Sequence, residues 1–157
     1  MESKEYVLDK MRDVGLRATE DLQAEAPDMD GTQLIDREND IPDFNPDKHQ
    51  YLNWMAGQAV RDDGQVWKLI QPYDSTIYKD PPEQMRAQWG LMHTKDPEKA
   101  KPFVPTEGTS GMYMKDECCT EGGKVYRSKV GNNVWTPSEY PDYWEEINES
   151  TEIQETE

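Results

Sequence analysis

Laid over itself at an offset of 59 residues, the sequence repeats, and no other feature restricts the fold as strongly. The run Gly57-Gln58-Ala59-Val60-Arg61-Asp62-Asp63-Gly64-Gln65-Val66-Trp67-Lys68 falls on Asp116-Glu117-Cys118-Cys119-Thr120-Glu121-Gly122-Gly123-Lys124-Val125-Tyr126-Arg127. Gly64 meets Gly123, Val66 meets Val125, Trp67 meets Tyr126 and Lys68 meets Arg127; upstream, Trp54 meets Tyr113. The copies then differ in length, yet each closes on an indole, Gln88-Trp89-Gly90-Leu91-Met92 in the first and Tyr143-Trp144-Glu145-Glu146-Ile147 in the second. Each copy reads as two short strands around a tight turn, a Pro-bearing loop and a last short strand ending in Trp. Asp63-Gly64 and Gly122-Gly123 are turn dipeptides because both tolerate positive φ. Val66 and Lys68 point to one face and Trp67 to the other, so either the valine row or the aromatic row faces the core.

Such small sheets suit the composition. Only 34% of the residues are hydrophobic, mean hydropathy is -1.06, and 157 residues fit one ordinary domain or two very small ones. Five Trp, eight Tyr and two Phe make up for scarce aliphatics, since one buried ring removes roughly 150–250 Å² from water.

Outside the repeat, Val7, Met11, Val14, Ala18 and Leu22 recur at helical spacing. Pro27 ends that N-terminal helix, expected over 1–26. Its stripe packs on its own domain, self-associates or docks on a neighbouring subunit. Residues 27–50, rich in Asp, Asn, Pro and Gly, read as an extended arm. The first β-unit is expected over 51–103 and the second over 104–147, with an acidic tail at 148–157. The expected fold is mainly β: two small three-stranded antiparallel sheets in tandem behind the helix and arm.

Composition also excludes functions. The formal charge is -16, with the excess acid in residues 1–50 and 106–157. Such a surface repels phosphate backbones, so nucleic acid is not an expected partner. No apolar run approaches membrane-spanning length and the N-terminus has no signal-peptide pattern. Cys118 and Cys119 are neighbours and cannot form an ordinary disulfide with each other, which fits folding in a reducing cytoplasm. Alternation buries Cys119, in register with Val60, and leaves Cys118 spare. Asp28, Asp30 and Asp36 lack the spacing and closing Glu of a calcium loop, and the two His, His49 and His93, do not combine with the cysteines at zinc spacing. No acid, base or nucleophile stands in a catalytic motif. The expectation is a non-enzyme without metal or cofactor.

Gly123-Lys124-Val125-Tyr126-Arg127-Ser128, Asn133-Val134-Trp135-Thr136-Pro137 and Tyr143-Trp144-Glu145-Glu146-Ile147 together resemble the small chitin- and cellulose-binding modules of carbohydrate-binding families five and twelve. Gly64-Gln65-Val66-Trp67-Lys68-Leu69-Ile70-Gln71 is the looser counterpart. The pairing of two such units, with Gly108-Thr109-Ser110-Gly111-Met112-Tyr113 leading into the second, also resembles proteins encoded among tail and tail-fibre genes of phages and prophages of Gram-positive bacteria. That resemblance implies a virion protein made in the bacterial cytoplasm, a docking or attachment component of the tail, baseplate or fibre, present as a homo-oligomer or in repeated copies beside other tail proteins. A second implied reading is an adhesin that stacks host cell-wall glycan on Trp135, Tyr140 and Tyr143, or on Tyr73 and Tyr78 of the first copy. A third is a fibre-assembly chaperone. The family's paired tryptophans are replaced here by Ser128-Lys129-Val130-Gly131-Asn132-Asn133, so stacking would rest on those five rings, each of which has core or interface packing as its alternative use.

Overall fold

The computed structural model describes residues 16–147. Three antiparallel strands, β1 (Ala59–Asp62), β2 (Gln65–Leu69) and β3 (Trp89–Leu91), form the first sheet in chain order. The second sheet runs β4 (Lys101–Pro102), β5 (Cys118–Glu121), β6 (Lys124–Ser128) and β7 (Trp144–Ile147), with β4 parallel to β5 and the rest antiparallel. The expectation of three strands in each sheet is therefore corrected for the second. The extra strand comes from the connector, where Pro102 lies on the sheet edge, the place in a sheet where a residue without an N–H is tolerated. Trp89 and Trp144 also open their strands rather than end them.

The repeat offset carries into the backbone. Ala59 faces Lys68 and Cys118 faces Arg127; Asp62 faces Gln65 and Glu121 faces Lys124. Both hairpin turns have two residues at positive φ, Asp63 (50°) with Gly64 (75°) and Gly122 (59°) with Gly123 (80°), the signature of a type I′ turn. The approach to each hairpin is held alike, since Met55 N donates to Gln58 Oε1 and Met114 N to Glu117 Oε1.

In the first sheet both rows are buried, on opposite faces. Val60, Trp67, Leu69, Trp89 and Leu91 join Tyr51 and Tyr73 in an aromatic core. Ala59 and Val66 on the other face are covered by Leu22, Ala26, Leu34, Ile35 and Ile41. Leu22 and Ala26 lie on and just beyond α1, the helical residues 16–25; Leu34 and Ile35 come from α2 (Gly31–Asp36). The arm expected to be extended thus contains a short helix. Asp30 caps it, accepting from Gln33 N at 2.8 Å while Gln33 Oε1 accepts from Asp30 N at 2.9 Å, a reciprocal capping box. The helical stripe falls partly outside the described residues, as do Val7, Met11 and Val14; so does the acidic tail at 148–157.

In the second sheet Tyr113, Cys119 and Trp144 form the core, with Phe103, Tyr126 and Tyr143 against it. Cys118 is buried as well as Cys119, so neither thiol is spare: β5 is flanked by the main chain at Thr94, whose carbonyl accepts from Cys118 N at 2.7 Å. Burial raises both thiols, Cys119 to about 12.

The sheets are tied to each other and to the arm. His93 Nε2 donates to Gly111 O at 2.8 Å and Arg86 Nη2 to Pro105 O at 3.1 Å. Lys101 Nζ reaches both Glu38, at 2.6 Å, and Gly64 O, at 2.7 Å. Thr32 Oγ1 accepts from Lys95 N at 2.9 Å, and Asp36 pairs with Lys99. No helix among the described residues is long and apolar enough to cross a membrane.

Candidate functional site

The loop between β6 and β7 presents three aromatic rings together. Trp135 and Tyr140 are 44% and 40% exposed, with ring centroids 6.2 Å apart and tilted by 31°. Tyr140 stacks on half-buried Tyr143 at 4.0 Å. The Tyr143 phenol beside it raises the Tyr140 hydroxyl above its ordinary value.

A polar anchor fixes this strip to the core. Asn133 is buried; its N–H donates to Tyr113 O at 2.8 Å and its carbonyl accepts from Tyr113 N at 2.9 Å. Its side chain donates to Ser128 Oγ at 3.0 Å and accepts from Trp135 N at 3.1 Å. Ser128 Oγ in turn donates to Val130 O at 2.7 Å. Every one of these groups is buried or partly so, where an unmade hydrogen bond costs about 1–3 kcal/mol, and the chain leaves β6 on a set path. Thr136 then starts a turn that closes with Tyr140 N donating to Thr136 O at 3.0 Å. Glu121 holds that turn from the hairpin side, accepting from Ser138 N at 3.0 Å and Ser138 Oγ at 3.1 Å. The result is an exposed ring surface on a turn whose Thr136 and Ser138 hydroxyls and Glu139 carboxylate are bonded within the turn or to Glu121, with the Asp142 carboxylate near Tyr140. Exposed flat π-faces suit the C–H face of a pyranose or a flat apolar side chain of a protein.

The corresponding loop of the first unit uses its rings differently. Tyr78 N donates to Asp74 O at 3.0 Å as Tyr140 N does to Thr136 O, which makes Tyr73 the counterpart of Trp135. Tyr73 is 8% exposed and packs in the aromatic core; its hydroxyl accepts from Trp89 Nε1 at 2.9 Å. It offers no free face and leaves the set of stacking rings. In the second unit the same task falls to the main chain, since Trp144 Nε1 donates to Trp135 O at 2.9 Å, and the Trp135 ring is released outward. Tyr78 is 59% exposed, next to exposed Ile77, but no ring contact joins it to the Trp135 strip.

Of the helical stripe, Leu22 is buried against the chain's own α2 and β-sheet residues, and Ala18 is half-buried. Among the described residues no group of three or more His, Cys, Asp or Glu is placed to hold a metal ion. His49 packs on Tyr51 and Trp54, and burial, then Lys48, lowers its basicity. His93 stacks on Tyr113 at 3.6 Å between the two sheets. No family model matches the chain, and no curated protein is significantly similar to it.

Proposed function

We propose that this chain is a non-enzymatic attachment component of a bacteriophage tail, baseplate or fibre apparatus, and that the Trp135–Tyr140–Tyr143 strip is a contact surface. The observation that supports binding is the asymmetry of the repeat: one copy turns its ring into the core, whereas the other turns the equivalent ring out and braces it with the buried Asn133–Ser128 anchor. An exposed, pre-positioned indole loses little conformational entropy on docking and brings a large apolar area to a contact. The tail assignment rests on the resemblance of the paired units. If it holds, mass spectrometry of particles purified from the bacterium carrying the gene detects the chain in mature virions; its absence there would leave the assembly-chaperone role in its place.

A second reading, cell-wall glycan recognition, is favoured by the neighbouring exposed faces of Trp135 and Tyr140 and by the resemblance to carbohydrate-binding modules. It predicts that the protein sediments with purified cell wall and that Trp135→Ala reduces this by about tenfold, the usual scale for loss of a central aromatic contact. Because Trp144 donates to the main-chain oxygen of residue 135, the variant keeps that bond and its fold. Undiminished sedimentation of the variant would remove stacking at Trp135 from the account.

A further inference from the structure

The strip at Trp135 and Tyr140 is rich in exposed ring and poor in free polar groups, and the two together restrict what it can hold. Thr136 Oγ1 accepts from Glu139 N at 3.1 Å and lies 3.2 Å from Ser138 Oγ. Ser138 Oγ donates to Glu121 at 3.1 Å, and Glu139 Oε1 accepts from Thr136 N at 3.2 Å. The turn that carries the rings therefore uses its own hydroxyls internally. The Trp135 indole N–H is different: its residue is 44% exposed, and among the described residues no acceptor meets that donor.

The charge around the rings has one sign. Residues 134–147 hold four acids, Glu139, Asp142, Glu145 and Glu146, and no base. Glu146 pairs with Lys124; among the described residues no cation pairs with the other three. The Asp142 carboxylate acts on the Tyr140 hydroxyl. The apolar surface itself is narrow, because Tyr143 covers one face of Tyr140 and the rest of the turn is polar or charged. A stable contact between two folded surfaces takes roughly 800 Å² from each partner; two rings on a polar turn suit a thin, extended segment.

The ligand must therefore bring a flat aliphatic face, few groups that need new hydrogen bonds, an acceptor for the Trp135 N–H, and positive charge. A pyranose meets the first demand and not the second, since each ring carries several hydroxyls that leave water on stacking. A polyproline II segment meets all but the last. It has no internal hydrogen bonds, its prolines have no N–H, and its carbonyls project outward as acceptors. It is extended before it binds, so little conformational entropy is lost on docking, and aromatic surfaces are the usual partners of such segments. A neighbouring Lys or Arg supplies the charge. We infer that the Trp135–Tyr140 surface is a docking site for a proline-rich segment of a partner protein, its pyrrolidine rings on the two aromatic faces, a main-chain carbonyl accepting from Trp135 Nε1, and a flanking Lys or Arg beside Asp142. This inference rests on the reading of the strip as a contact surface for protein.

The test is fluorescence anisotropy of a labelled peptide, eight prolines ending in two arginines, with the full chain at physiological salt, where non-specific attraction to an acidic protein is screened. Trp135→Ala is expected to weaken binding about tenfold, and Tyr78→Ala, which removes an exposed ring of the first unit, by less than about twofold. Trp135→Phe keeps a ring and loses the N–H, and is expected to weaken binding about threefold. The same two arginines behind alternating glycine and serine report charge alone, and that flexible peptide is expected to bind about tenfold more weakly. Equal affinity for the two peptides, unchanged affinity in Trp135→Ala, or chitin oligomers bound at Trp135 by a chain that ignores the proline peptide would each overturn the inference, the last by giving the strip to glycan. The attachment reading is decided separately, by mass spectrometry of virions: absence from particles together with Trp135-dependent binding of the proline peptide removes that reading and keeps this one.

Discussion

His93 lies buried between the two sheets, stacked on Tyr113. Burial against Tyr113 lowers its imidazole to about 4, from an ordinary 6.5; the Gly111 carbonyl opposes this and Arg86 adds to it. With the folded value below the unfolded one, the unfolded chain binds the extra proton between those two values, and stability present above about 6.5 is lost as the pH falls towards about 4. The His93 share of that loss is on the order of 3 kcal/mol. Urea unfolding at neutral and mildly acidic pH checks it, since His93→Gln should flatten the pH dependence; an unchanged slope would place the acid sensitivity elsewhere. The sequence showed His93 only as a residue after Trp89-Gly90-Leu91-Met92, because its partners Tyr113 and Gly111 lie in the other copy. The choice between Tyr73 and Trp135 was hidden for a related reason. Both follow the second hairpin strand, and what separates them is whether a hydroxyl or a main-chain oxygen accepts from the closing indole.

At the scale of elements, the two hairpins were legible because their turn dipeptides have a local physical cause, and the register followed from the offset. The covering of the valine face was not. Val66 meets Leu22 and Leu34 across long stretches of chain, and no periodicity in a strand reveals a partner so distant. The signal for α2 was present in Asp30-Gly31-Thr32-Gln33, whose first and last residues form the capping box, but the surrounding Asp, Asn and Pro read as arm. How closely α2 docks is set at Gly31, where a Cβ would lie 2.0 Å from the His93 carbonyl oxygen and 2.9 Å from its nitrogen. Both are main-chain atoms, so Gly31→Ala must push α2 off the connector and is expected to destabilise by about 3 kcal/mol. Gly90→Ala in β3 meets the Ile70 side chain at an ordinary 3.6 Å and should stay within about 1 kcal/mol. Thermal melts of both variants make the comparison, and equal midpoints would show that α2 docks loosely.

For the whole molecule, the arm adds a second tie between the two sheets beside the direct bonds from His93 and Arg86. Thr32, Asp36 and Glu38 contact Lys95, Lys99 and Lys101 of the connector, and Leu34, Ile35 and Ile41 cover the first sheet. A chain beginning at Tyr51 would leave Ala59 and Val66 uncovered, and at roughly 25 cal/mol per Å² of apolar area returned to water it is expected to lose its cooperative melt and bind hydrophobic dye. A sharp circular-dichroism transition in that truncated chain would show the sheets to be self-sufficient. The same bonds bear on how such a gene can be rearranged. A piece cut at the boundaries of the repeat would part Lys95, Lys99 and Lys101 from Thr32, Asp36 and Glu38, so the unit that can be moved whole is longer than the unit that repeats.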